Sequence, residues 1–247
     1  RDDILSSFAV GSTQLAVQMP SALNVSDAHV AGTLIFTGDA SNVMMVQRSD
    51  IISRAQASID PLRCLFEIDV TGGLKLADSD GDLWAKALER GALFAAAQLA
   101  GLAQAMIDMT VAYSQQRMQF GKPIGSFQAV KHHLASAQVA ISFAQPVIYR
   151  AAYSVRRNAS GLSAAVSHAK IAASDAAMTA SKAAIQCHGA MGYTFEVDIH
   201  LWMKRAWALI GAWGDRDFHI KRVQDFVLAR NSPIGAGSNF GALDRAG

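Results

Sequence analysis

Arg117-Met118-Gln119-Phe120-Gly121-Lys122-Pro123-Ile124, continued by Gly125-Ser126-Phe127-Gln128, is the stretch that decides how this chain reads. It lies between two long helical patterns, on the only turn in that region. A strong cation, two amides, glycine and proline fall within twelve residues. That concentration suits an anion site at a helix end. The preceding helix delivers the Arg117 guanidinium to a phosphate, Pro123 stops that helix, and Gln128 opens the next one near free backbone N–H groups. Taken alone, the stretch also fits a plain surface turn between helices, and both readings stand at this point.

Working outward, the pattern after Asp82 is helical almost to the end. Leu88, Ala92, Ala95, Leu99, Leu102, Met106 and Met109 recur at helical spacing and predict a first helix over 82–116. A second is expected over 126–157, kinked or divided by Pro146. A third runs from Leu162 to about His188 and is rich in Ala at close-packing positions; two more cover 197–209 and 215–230. Residues 8–76 read as strands. Residues 30–36 and 42–46 are short apolar runs, and 63–70 alternates with Cys64, Phe66, Ile68 and Val70 on one face. Thr71-Gly72-Gly73 and Asp78-Ser79-Asp80-Gly81 are turn clusters. The expected fold class is α+β, mostly α: a reduced β domain over 1–80, an antiparallel helical bundle over 81–231 and a loose tail over 232–247.

With 51% hydrophobic and 17% charged residues in 247, the chain can bury a large core. Twenty-two basic and 20 acidic residues leave a formal charge of +2, with no basic stripe, so neither nucleic acid nor anionic lipid is an expected partner. Cys64 and Cys187 form no CxxC or Cys/His ligand set and read as buried thiols in a reducing, cytoplasmic setting. The longest uncharged stretches carry Gln98, Gln104, Gln138 and Gln145; they read as core helices, not membrane spans. No signal peptide is recognised at the start. His132-His133 and His168 lack a carboxylate partner at ligand spacing, so no metal is expected. No Gly-x-Ser-x-Gly elbow and no dinucleotide fingerprint appears.

A second block, Gln186-Cys187-His188-Gly189-Ala190-Met191-Gly192-Tyr193-Thr194-Phe195-Glu196, ends the third helix. Its glycines let backbone approach a ligand, although a Gly-rich helix end by itself is usually a cap. Together, Arg-x-Gln-Phe-Gly-x-Pro-Ile-x-x-Phe-Gln and Gln-x-x-Gly-x-x-Gly-Tyr-Thr-x-Glu, in this order and separation, resemble the acyl-CoA dehydrogenase family over about residues 82–230. The run 196–206 looks most like actinobacterial members acting on CoA esters of steroid side chains.

The resemblance implies FAD as cofactor, an acyl-CoA substrate and an electron-transfer acceptor. It implies that Arg117 reaches the FAD pyrophosphate of a neighbouring subunit, and that Gln119 and Phe120 line the same cofactor. Gln128, Gln186 and Gly189 are implied on its ADP part. Ala190 replaces a second Gly, which is tolerable only if its φ is not positive.

Such an enzyme needs a carboxylate to take the α-proton while hydride leaves to the flavin. The family keeps it in one of two places. Here the first is occupied by Trp213-Gly214-Asp215 and the second by Gly91. Glu89 is near, but two residues along a helix rotate a side chain roughly 200°. Glu89-Arg90 reads as an exposed charged pair, and Glu196 as a cap or salt-bridge residue. No catalytic residue is therefore assigned to this chain. The expectation is a subunit without the base, beside a second acyl-CoA dehydrogenase subunit in an α2β2 heterotetramer. The alternatives are a homo-oligomer using Glu89 or Asp215, and a non-catalytic scaffold.

Overall fold

The structure, a computed structural model, describes residues 2–19, 22–37, 42–77 and 82–229. The Asp78–Gly81 turn and the tail from Ser232 lie outside the described residues. The chain divides into two compact units, Arg1–Ala87 and Leu88–Gly247.

The first unit opens with helix α1 (Asp2–Ala9) and holds the strands β1 (Leu15–Val17), β2 (Asn24–Ser26), β3 (Thr33–Thr37), β4 (Val43–Gln47), β5 (Ile51–Gln56), β6 (Leu65–Val70) and β7 (Leu74–Ala77), with a 3-10 turn over Arg48–Asp50. They form a four-stranded sheet ordered β1-β3-β4-β7 and a three-stranded sheet ordered β2-β6-β5. Among the described residues, these strand pairs are antiparallel except β1 with β3. Ala16, Val25, Leu34, Val46 and Ile51 fill the core, with Phe66, Ile68 and Val70 half-buried against it. The expected alternation on β6 thus holds for those three. Cys64 departs from it: the strand begins at Leu65, and Cys64 is exposed. β5 lies within the 8–76 stretch that reads as strands, without being delimited there as a run of its own. It is an edge strand with Ser53, Arg54 and Gln56 along it, tied to β6 by the Arg54–Asp69 ion pair (2.6 Å) and the Gln56–Glu67 hydrogen bond (3.1 Å).

The second unit holds most of α2 (Asp82–Gln116), then β8 (Met118–Gln119), β9 (Lys122–Pro123), α3 (Gln128–Arg157), α4 (Leu162–His188), α5 (Ile199–Gly211) and α6 (Arg216–Val227). α4 is the central helix, because fifteen of its 27 residues are buried. Most of those are Ala, and small side chains let the neighbouring helices approach closely. α2 has the length and apolarity of a membrane span. Its Leu93, Ala96, Leu99, Ala103 and Met106, however, lie in the bundle core with Ile141, Ile148, Val166, Ile185 and Ile199. α3 runs unbroken through Pro146, so the proline does not divide it. Its apolar stripe of Ala137, Ile141, Ala144, Ile148 and Ala151 stays buried across that point, and tertiary packing outweighs the lost backbone hydrogen bond.

Candidate functional site

The first block folds as a miniature hairpin. β8 and β9 pair through Met118↔Pro123 and Gln119↔Lys122, and Phe120 and Gly121 form the two-residue turn at φ +51° and +77°. Two successive positive φ values give the primed turn that matches strand twist. Gly121 adopts this freely, whereas Phe120 is strained by it. The Arg117 N–H donates to the Tyr113 carbonyl (2.9 Å), and the Arg117 carbonyl accepts from the Ile124 N–H (2.8 Å). The backbone of Arg117 is thereby pinned from both sides, while its side chain is exposed. Gln128 begins α3 and hydrogen bonds to His132 Nε2 (3.2 Å).

The second block closes α4. Gly189 is its C-cap at φ +62°, ψ −140°, with its N–H donating to the Ile185 carbonyl. That backbone region is open essentially to Gly alone. A Cβ there would meet nothing within 4 Å, so the Gly189 backbone faces open space. Residues 189–193 continue as a 3-10 turn, and Ala190 is not among the residues with positive φ, which satisfies the condition set by its methyl group.

Two side chains not singled out from sequence draw the blocks together. Tyr113, one turn before Arg117, stacks on His188, immediately before Gly189, with ring centroids 4.2 Å apart and 21° between planes. His188 is buried and its Nδ1–H donates to the Ala184 carbonyl (2.8 Å). The only sequence signal for this pair is that each member is an aromatic within a turn of a block.

Arg117, Gln119, Phe120, Gln128, Gln186 and Gly189 are all exposed, Phe120 to 90%. A cavity of about 430 Å³ lies behind the hairpin, lined by Val111, Ser114, Pro123, Lys131 and Leu134 among others; none of the six borders it. The six residues present polar and aromatic groups outward and enclose nothing by themselves.

The two positions at which a base was sought are in contact. Trp213 lays its indole over Gly91, so closely that a Cβ at Gly91 would fall 2.1 Å from Trp213 Cδ2. Trp213 holds a left-handed backbone, φ +60°, followed by Gly214 at φ +96°. The Trp213 carbonyl accepts from His219 Nε2–H (3.1 Å), and Lys170 Nζ donates to the carbonyls of Ile210 (2.8 Å) and Gly214 (3.4 Å).

Glu89 corrects the expectation of an exposed pair. It is buried, ion-paired with Arg222 of α6, and its Oε1 also accepts from Ser163 Oγ (2.6 Å). Arg222 donates further to Ser167 Oγ (3.1 Å), which stands 3.0 Å from His219 Nδ1. Because a carbonyl only accepts, His219 carries its proton on Nε2, and Nδ1 accepts from Ser167. Burial, reinforced by the Lys170 and Arg222 cations, pushes the His219 imidazole down to about 4, so it is neutral near pH 7. Burial likewise brings Lys170 down to about 8, against the pull of Asp215. Asp215 is exposed and caps α6 by accepting from the Phe218 N–H (2.8 Å). Glu196 is exposed and Cys187 only half-buried, its thiol raised by that burial.

A helical bundle closed by these two outward-facing blocks, in a chain that also holds a β unit, is the architecture of a flavoprotein dehydrogenase of the acyl-CoA class. Residues 81–228 match the acyl-CoA dehydrogenase C-terminal domain, and the chain belongs to the acyl-CoA dehydrogenase family. It is similar to acyl-CoA dehydrogenase IpdE2 of Mycolicibacterium smegmatis, at 30% identity over 81% of this chain and 63% of that one. Its counterpart from Mycobacterium tuberculosis is 34% identical over 70% of this chain and 53% of that one. The chain thus spans between about half and two thirds of these curated relatives. Butyryl-CoA dehydrogenase from Megasphaera elsdenii has the same fold, with a TM-score of 0.80 over 92% of this chain and 71% of that one, at 20% identity.

Proposed function

We propose that this chain is a cytoplasmic subunit of an FAD-dependent acyl-CoA dehydrogenase that lacks the catalytic base and works beside a second, base-bearing subunit. The pair would oxidise an acyl-CoA to the trans-2-enoyl-CoA and pass the electrons to an external acceptor. The run 196–206, through the resemblance it carries, makes the CoA ester of a steroid side chain the favoured substrate class.

The observation that carries this reading is the indole of Trp213 seated on Gly91: neither residue can take a proton, and the ring occupies the volume over both positions. The carboxylates two residues away in sequence are committed elsewhere, Glu89 to Arg222 and Ser163, and Asp215 to the α6 cap. The residues present also fit the ADP side of FAD. Arg117 offers a guanidinium, Gln119, Gln128 and Gln186 offer amides, and Gly189 leaves room for close approach. Phe120 strains its backbone while burying almost nothing within this chain, which favours a site completed by a partner. FAD bound across the interface would supply the hydride acceptor.

The test compares flavin content of the chain alone with that of the chain co-expressed with its partner, and then of Arg117→Ala in the pair. A charge-assisted hydrogen bond is worth about 1.5–3 kcal/mol, so the variant should bind FAD at least about tenfold more weakly. Active sites should number half the chains. Unchanged FAD affinity in Arg117→Ala would remove the cofactor assignment. One active site per chain in a homo-oligomer would remove the partner.

A further inference from the structure

We propose that Asp27, His29 and Cys64 form a binding site for a borderline-soft divalent transition-metal ion of the zinc type, in the β unit and apart from the flavin blocks. One ligand atom from each (a carboxylate oxygen, an imidazole nitrogen and the thiol sulfur) lies within 4.8 Å of the others. Sequence separation hides the set, since Cys64 is far from the other two.

The fold brings them together by register. β2 and β6 pair through Ser26↔Leu65, which makes Asp27 and Cys64 the next opposed residues beyond the strand ends. The Asp27 N–H donates to the Cys64 carbonyl (2.8 Å), so the two backbones are locked across the gap. Asp27 is left-handed, φ +58°, and starts the turn at 27–30 that carries His29 back over the same end. The His29 ring stacks on Phe66, centroids 4.8 Å apart and planes 28° from parallel, which fixes its orientation from β6. Three ligands are therefore held by two strand ends and one aromatic shelf.

The donor chemistry selects the ion. Thiolate with imidazole favours zinc, cobalt and their neighbours, whereas calcium and magnesium require oxygen donors. Zinc bonds of about 2.0–2.3 Å need ligand atoms about 3.3–3.8 Å apart in a tetrahedron, so the three must draw in by about 1 Å. All three residues are exposed, and the Asp27 and Cys64 side chains can draw in toward the stacked His29 ring. Three protein ligands leave the fourth position to water or a small anion. Binding takes the proton from the Cys64 thiol and releases it to solvent, so affinity falls as pH is lowered. Bridging the ends of β2 and β6, the ion acts as a clip on the three-stranded sheet.

The experiment is a titration of the full, metal-free chain with Co2+, read by visible and near-ultraviolet absorption, followed by competition with Zn2+. Expected are tetrahedral cobalt bands with a thiolate-to-cobalt charge-transfer band, saturating at one ion per chain and displaced by one equivalent of zinc. Cys64→Ser abolishes the charge-transfer band, and His29→Ala and Asp27→Ala each weaken binding tenfold or more. Cys187→Ser leaves everything unchanged. Far-UV circular dichroism confirms that each variant is folded, which exposure of the three side chains favours. No thiolate band in the wild-type chain, a band that follows Cys187, or unchanged affinity in His29→Ala each overturns the proposal.

Discussion

Replacing Gly91 by Ala should destabilise the chain in a way that only Trp213 explains. In a solvent-exposed helix interior the same change would stabilise by about 0.8–1 kcal/mol. Here the added methyl falls 2.1, 2.2 and 2.5 Å from Cδ2, Cε3 and Cε2 of Trp213. Carbon atoms pack comfortably at about 3.5–4.0 Å, so the ring or the helix must move by about 1.5 Å. The indole is not free to drift, because its own carbonyl is bonded to the buried His219 and its backbone is left-handed. Overpacking of this kind costs about 1–3 kcal/mol, enough to reverse the propensity gain. Truncating the partner reverses the sign again. In a Trp213→Ala background the methyl enters vacated space, and Gly91→Ala should become neutral or stabilising by up to about 1 kcal/mol. Urea unfolding of the four chains of the cycle, followed by far-UV circular dichroism, gives the coupling directly. A Gly91→Ala chain as stable as wild type, or one equally destabilised with and without the indole, would refute the contact.

Three further outcomes follow from the polar cluster beneath that contact. Glu89→Gln leaves the half-buried Arg222 without its counter-charge and should cost about 1–3 kcal/mol, whereas Glu89→Leu with Arg222→Met should cost much less; urea midpoints of the two chains decide this. In the assembled enzyme, Glu89→Gln and Asp215→Asn with FAD retained should lose far less than the 100- to 10,000-fold in rate expected for a missing general base. His219 protonates at about 4 in the fold and near 6.5 when unfolded, so the unfolded chain binds more protons between those values. Its contribution is complete above about pH 6.5 and is lost as pH falls towards 4, by up to about 3 kcal/mol. Subtracting the pH–stability profile of His219→Gln from that of the wild type should isolate this slope, and identical slopes in the two chains would remove the assignment.

The helices were legible because their determinants are local. Apolar spacing, turn residues and caps set α2 and α4 at their observed ends and α6 within three residues of its own. β5 was not legible as a run of its own, because nothing in Ser53-Arg54-Ala55-Gln56 is strand-like until β6 supplies Asp69 and Glu67 as cross-strand partners. The two blocks could be read as blocks, since glycine, proline and amides crowd into short runs. Their joining through Tyr113 and His188 is tertiary and left no pattern. Glu89 was misread for the same reason: its counter-ion lies 133 residues downstream, and without it a charged residue beside Arg90 looks like surface. The metal ligands were passed over because register, not sequence spacing, brings them together.

Read along the chain, Gly91 and Trp213 are two separate departures, each at a position where the family resemblance implies a carboxylate. In space they are one feature. The indole fills the volume that an absent side chain at Gly91 leaves, and the glycine is what allows the indole to lie there. Drift to a small residue at one position would have left a cavity, and drift to a large one at the other an overlap, either costing on the order of 1–5 kcal/mol. A matched pair costs little, so the two residues persist together as packing. The pair is also asymmetric. A carboxylate at 213 would find the space over Gly91 open once the indole was removed, whereas a carboxylate at 91 would still meet the ring. A proton-accepting carboxylate at either of these two positions therefore requires a change at Trp213 first. That order is set by which of the two residues holds the volume.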